Sequence, residues 1–240
     1  MYEKRFYRDW MKSNDLVSFE VIEKETDLFI SADLDLEKEA IVAVSRYRND
    51  IEDYIAKNPE FYASLIPLKV KEPAPMIVKM MIEASEKAKV GPMAAVAGAM
   101  AECVGNDLLK LARDVIVENG GDIFIKASKP RIIGIYAGKS ALSGKLAITI
   151  EPGETPCGVC TSSGTVGHSL SFGKADAAVI VSRSASLADV VATFAGNLVR
   201  KETDVEGAIK RIKLIDGVTG VIIIINDKIG TWGSINLSKI

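Results

Sequence analysis

Asp189 and Thr193 stand four residues apart in a segment, 186–200, whose apolar residues recur at helical spacing. That interval puts a carboxylate and a hydroxyl on one helix face. Mg2+ is commonly held by one or two carboxylates, hydroxyls and substrate phosphates, so the pair is a candidate metal site. Ser186, three residues before Asp189, offers a second reading: a capping box with the aspartate at the third helical position. The two readings are compatible, because a carboxylate has two oxygens.

Three other groupings carry chemistry. Glu118-Asn119-Gly120-Gly121-Asp122 sets two glycines between two short apolar runs. The local reading is a hairpin turn that needs positive φ. Paired glycines also let a phosphate or a flat ring approach backbone N–H groups. Thr161-Ser162-Ser163-Gly164-Thr165, then Gly167-His168, packs hydroxyls and glycines into a stretch too polar for a buried strand and suited to lining a phosphate or ribose. His168 is the sole histidine, and structural and catalytic roles are both open to it. Cys157 and Cys160 form a lone C-x-x-C, which reads as an incidental pair with a thiol-dependent role as the alternative. A nucleophilic serine motif, a P-loop and a strand-linked Gly-x-Gly-x-x-Gly are all absent, so serine hydrolysis and a Rossmann site have no support.

The elements that must position these residues follow from periodicity. Val17, Phe19 and Val21 alternate with polar residues, as do Leu28, Ile30 and Ala32, which predicts an opening hairpin. Asp35 caps a predicted helix that ends near Asn58-Pro59. A proline-bearing loop, 65–75, precedes a second helix over about 76–89. A third helix starts near Pro92 and is rich in small residues, Ala94 to Ala101, so a backbone or a ligand can approach it closely. Short apolar runs at 115–117, 123–125, 132–136, 147–150 and 177–181 predict strands. Two helices, 186–200 and 204–213, and a hairpin around Asn226-Asp227 complete the chain. Runs of like elements favour an α+β layered fold, with a mixed or antiparallel sheet and packed helices, over a doubly wound one.

Composition bounds the rest. The 240 residues fit a single domain, 1–240. Thirty Lys and Arg against 32 Asp and Glu leave a net charge of −2, which gives no reason to expect nucleic acid as a partner. No run is long enough to span a membrane, the N-terminus lacks the apolar core of a signal peptide, and three cysteines do not make a secreted disulfide framework. The expected compartment is the cytoplasm, and a homo-oligomer is compatible with the sequence.

Taken in order, the small-residue helix 93–102, the run Val115 to Asp122, the run Cys160 to Gly164 and the helix segment Leu187 to Thr193 resemble the ApbE-like proteins, whose characterised members are FAD:protein FMN transferases. The resemblance covers about 92–200. The closer likeness is to an uncharacterised branch of that superfamily, through Thr161 to Asp176. It implies an ApbE-like fold. It further implies Mg2+ held by the side chains of Asp189 and Thr193 and a carbonyl near Ala97. Gly120, Gly121 and Asp122 would lie beside a nucleotide, with Thr161, Ser162, Ser163 and Gly164 along a flavin or phosphate. His168 would stand where the transferases open a His-x-x-Asp-Pro-x-Thr-Gly stretch. FAD or a related nucleotide is the implied ligand, and pyrophosphate cleavage or FMN transfer the implied reaction. After His168 this chain instead reads Ser-Leu-Ser-Phe-Gly-Lys. That departure supports the alternative, a binding or scaffold protein that keeps the fold without the transfer.

Overall fold

The structure, a computed structural model, describes Arg8 and residues 15–165 and 172–239. The chain opens with the expected hairpin, β1 (Val17–Glu23) and β2 (Thr26–Ala32). Helices α1 (Glu37–Lys57), α2 (Glu60–Ala63), α3 (Met76–Ala88) and α4 (Val96–Leu108) follow. Strands β3 (Val115–Asn119), β4 (Asp122–Lys126), β5 (Arg131–Gly134), β6 (Leu146–Ile150), β7 (Cys157–Ser162) and β8 (Ala177–Ser182) come next. Helices α5 (Ala185–Leu198) and α6 (Val205–Ile212) precede β9 (Val218–Ile225), β10 (Lys228–Gly233) and β11 (Asn236–Lys239).

Eight strands form one sheet in the order β1-β2-β3-β4-β7-β8-β9-β10, and every neighbouring pair is antiparallel. Of the two expected forms, mixed or antiparallel, the sheet takes the second. A three-stranded antiparallel sheet, β11-β6-β5, is a separate layer. Helices α1, α3, α4 and α5 cover one face of the large sheet, and the small sheet covers the other. β9 shows why its residues are apolar throughout. Val221, Ile223 and Ile225 pack toward the helices, whereas Ile222 and Ile224 pack toward the small sheet. A strand buried on both faces loses the polar alternation of a half-buried one.

Some local expectations shift. The cap position of α1 is Leu36, and Asp35 instead accepts a hydrogen bond from the N–H of Glu37 at 3.3 Å. The turn from Pro92 to Ala95 is a 3-10 segment, and regular α-helix begins at Val96. The small residues of α4 serve helix packing. A Cβ on Gly98 would stand 2.3 Å from the Ala185 carbonyl oxygen and 2.8 Å from Cβ of Asp189. Only hydrogen fits there, and so α4 brings its backbone against the start of α5.

Candidate functional site

The contact between α4 and α5 is where the candidate residues begin to meet. Ser184 caps α5, its hydroxyl accepting the N–H of Leu187 at 3.3 Å. Glu102 on α4 holds that end by accepting from the Ser184 hydroxyl at 2.9 Å and the Ser186 N–H at 3.0 Å. The expected capping box from Ser186 to Asp189 does not form, because the helix starts two residues earlier than that pattern requires. Asp189 is thereby released from its own helix end. Its Oδ2 accepts the N–H of Gly98 on α4 at 2.8 Å. Burial pushes its carboxyl up to about 7, against the pull of the Gly98 and Ala97 N–H groups.

The sheet supplies a second carboxylate. Asn119, Gly120, Gly121 and Asp122 form the turn between β3 and β4, with Asn119 opposite Asp122 and both glycines at positive φ, 67° and 101°. The turn reading holds, and this turn delivers Asp122 to the helix-covered face. Asp122 is buried, and its Oδ1 has no hydrogen-bond partner. Burial raises its carboxyl well above the usual range, and the charge of Asp189 raises it further; the Cys160 thiol and the Thr161 N–H act in the opposite direction. Two carboxylates therefore share a desolvated pocket. Beside them, Asn119 donates from Nδ2 to the Ala97 carbonyl at 3.2 Å.

β7 contributes unequally. Side chains alternate across a strand. Cys160 lies on the helix side, where its thiol donates to the Ala185 carbonyl at 3.3 Å, and Ser162, two residues on, shares that side. The Ser162 hydroxyl is buried with no partner. Thr161 falls on the opposite side, beside Val179 in the register, so it does not line this pocket. Past the strand, the Ser163 hydroxyl accepts the Thr165 N–H at 3.1 Å, and the Gly164 N–H donates to Ala175 at 2.8 Å; these two contacts shape a loop. Thr193 sits one helical turn beyond Asp189 and is half-buried. His168 lies outside the described residues.

The two cysteines part ways. Cys157 packs toward the small sheet and Cys160 toward the helices. Residues three apart on a strand project to opposite faces, so they cannot form a redox pair or share a metal. Both are free and buried, and desolvation pushes the Cys157 thiol up to about 12 and that of Cys160 well above its usual value.

Sequence reasoning missed the support of the turn. Arg8 is buried and donates from Nε to Glu118 Oε2 at 2.7 Å and from Nη1 to Asp27 Oδ1 at 2.6 Å. The other Glu118 oxygen accepts the Gly121 N–H at 2.8 Å. A charged relay thus reaches the paired glycines from the N-terminal segment. The available signal was Glu118 itself, an acid inside an apolar strand run, which calls for a buried cation.

Among the described residues, no group of three or more His, Cys, Asp or Glu side chains is placed to hold a metal. The donors brought to this contact are oxygens: two carboxylates, the Ser162 hydroxyl and the Ala97 carbonyl, with Thr193 one helical turn from Asp189. Such a set fits a hard cation that keeps waters and takes phosphate oxygens, and does not fit a soft one. Asp122 Oδ1 and Ser162 Oγ, left without partners, fit a ligand that supplies a cation or a donor.

Comparison with known proteins agrees with this architecture. A family model described as AbpE bacteria matches residues 8–216. The UPF0280 protein of Methanocaldococcus jannaschii is 41% identical over 221 residues, covering 90% of each chain. Among solved structures, the ApbE protein from Thermotoga maritima superposes with a TM-score of 0.59 at 12% identity, covering 90% of this chain and 96% of that one. The flavinyl transferase ApbE from Pseudomonas stutzeri gives 0.57 at 13% identity, covering 90% and 94%. At that identity the likeness is one of fold. Among the described residues, no helix is long and apolar enough to cross a membrane. The match along most of the chain, the level of identity and the shared layers lead to one statement: the chain belongs to the UPF0280 family, an ApbE-like family.

Proposed function

We propose that the chain binds a phosphate-bearing nucleotide, a flavin such as FAD being the first candidate, together with Mg2+ at the α4–α5 contact. The observation that carries this reading is the buried pair Asp122 and Asp189, whose charges have no cation between them among the described residues. Burying two carboxylates side by side is costly unless something neutralises them, and functional sites are where such costs accumulate. Asp189 and Thr193 would hold the ion with their side chains and Ala97 with its carbonyl, with Asp122 alongside. The chemistry such an ion would supply there is Lewis-acid neutralisation of phosphate charge.

The chain's own residues define the rest. Gly120 and Gly121 carry no side chain, and nothing lies within 4 Å of where a Cβ on Gly121 would stand, so a ligand can come close to the backbone of the turn. Ser162 presents a hydroxyl without a protein partner. Glu102 and Gly98 fix the two helices that carry the carboxylate and the carbonyl. The reaction class that suits this set is cleavage or transfer across a pyrophosphate, as the flavinyl transferase name of one structural neighbour suggests. A second reading, binding without transfer, is favoured by the run Ser169 to Lys174 after His168, which lacks the Asp-Pro-x-Thr-Gly element.

Calorimetric titration with FAD, FMN and ADP, with and without Mg2+, tests the reading. Mg2+-dependent binding of one of these, weakened at least about tenfold in Asp189→Ala, is expected. Binding that ignores both Mg2+ and the substitution removes the metal assignment. Release of FMN or AMP from FAD would separate catalysis from mere binding.

A further inference from the structure

A second concavity lies beyond the C-terminal end of α5, away from the Asp189 end of that helix. It encloses about 550 Å3, within the range of about 300–1,000 Å3 usual for small-molecule sites. Three cations line it: Lys174 from the segment that leads into β8, and Arg200 and Lys201 from the segment after α5. The backbone holds them in place. The Lys174 N–H donates to the Val199 carbonyl at 2.7 Å, tying its loop to the helix end. The N–H groups of Arg200 and Lys201 both donate to Asp204 Oδ2 at 3.0 Å.

The acids of the same cavity are committed elsewhere. Asp176, buried at its floor, accepts from the Thr165 hydroxyl at 3.1 Å through one oxygen and from the Asn226 N–H at 2.7 Å through the other. Glu202 accepts from Asn226 Nδ2 at 3.1 Å. Among the described residues, none of the three cations is within ion-pair distance of a carboxylate. Thr203 adds a hydroxyl to the wall, while that of Thr165 is engaged by Asp176. The plain account of Arg200 and Lys201 is solvation beside the negative end of a helix. That account does not cover Lys174, which comes from a different segment and meets them across a concave surface.

We infer that this cavity is a binding site for a phosphate-bearing small molecule, separate from the Asp189 pocket. Guanidinium and ammonium donors suit the oxygens of a doubly charged phosphate, and a hydroxyl such as that of Thr203 can join such a shell. The inference does not rest on the function proposed above, because it needs neither Asp189 nor Mg2+. The ligand's phosphate could stand alone or belong to a nucleotide, and both share the chemistry named here.

The full chain, without Mg2+ and at low ionic strength, would be titrated by calorimetry with inorganic phosphate and, separately, with AMP. Saturable binding with Kd below ~10 mM is expected, weakening as salt rises. In a variant carrying Lys174→Ala, Arg200→Ala and Lys201→Ala the affinity should fall more than about tenfold, while Asp189→Ala leaves it unchanged. All three residues are exposed, so the fold should survive; Arg200→Ala alone gives the same test if it does not. AMP binding more tightly than phosphate supports a nucleotide ligand, and equal affinities support recognition of the phosphate group itself. Absence of binding by both probes, or binding equal in wild type and the triple variant, overturns the inference. Loss of binding in Asp189→Ala together with retention in the triple variant also overturns it and assigns the phosphate to the other pocket.

Discussion

Asp122 and Asp189 illustrate how environment, rather than residue type, makes a carboxylate chemically useful. Each is an ordinary acid in water, with a pKa of about 3.9. In the fold both are raised, chiefly by desolvation, Asp189 to about 7. The native state then binds more protons than the unfolded chain between about pH 4 and pH 7, so this pair makes stability fall as pH rises through that window. Affinity for the proposed Mg2+ should move the opposite way, since a metal ligand must be deprotonated. Asp189→Asn keeps an oxygen for the Gly98 N–H and removes the charge. We expect it to be more stable than wild type by about 1 kcal/mol at pH 8, a gain of a few degrees in Tm, with little difference at pH 4. Denaturant midpoints at the two pH values check this. A wild type more stable than the variant at pH 8 would contradict the raised carboxyl.

Helices α4 and α5 decide where that carboxylate points. Gly98 permits the approach, and the Ser184 cap together with Glu102 sets where α5 begins. Gly98→Ala would place a methyl group 2.3 Å from the Ala185 carbonyl oxygen. Two packed backbones have to separate, which should cost about 1–3 kcal/mol. The proposed nucleotide binding should weaken beyond what stability explains, because Ala97 and Asp189 move with the two helices. Urea unfolding and calorimetry on the same variant read both effects. Unchanged values in both would show that the close contact is not needed. The β3–β4 turn is held with comparable care, through Gly121, Glu118 and Arg8.

The three layers of the molecule depend on side chains that no single element reveals. Ile148 of the small sheet and Ile222 of the large one are fully buried between the sheets. Truncating either to alanine should cost about 2–5 kcal/mol, as for other well-packed core residues. The unfolding transition should stay single. A cost below about 1 kcal/mol with a separate early transition would show that β5, β6 and β11 form a detachable layer. Burial of both faces also explains the run of β-branched residues in β9, which reads from the sequence as a strand without revealing what lies on either side.

The order and type of most elements were legible before folding was considered. Val17 to Ala32 alternates as a hairpin must, Met76 to Ala88 shows a helical stripe, and Gly120-Gly121 and Asn226-Asp227 carry the turn chemistry that their conformations require. These signals are local, so neighbouring residues suffice to express them. Asp122, Ser162, Asp189 and Thr193 were also legible as candidates, the last two by helical spacing. Their relations were not. That Asp189 reaches Gly98 instead of capping its own helix depends on a contact between residues 91 positions apart. That Ser162 faces the pocket and Thr161 does not depends on the register of β7 against β8. The opposed faces of Cys157 and Cys160, the pairing of Arg8 with Glu118, and the cluster of Lys174, Arg200 and Lys201 likewise join distant segments. Such features arise from packing and desolvation, which belong to the assembled chain and leave no period in its sequence.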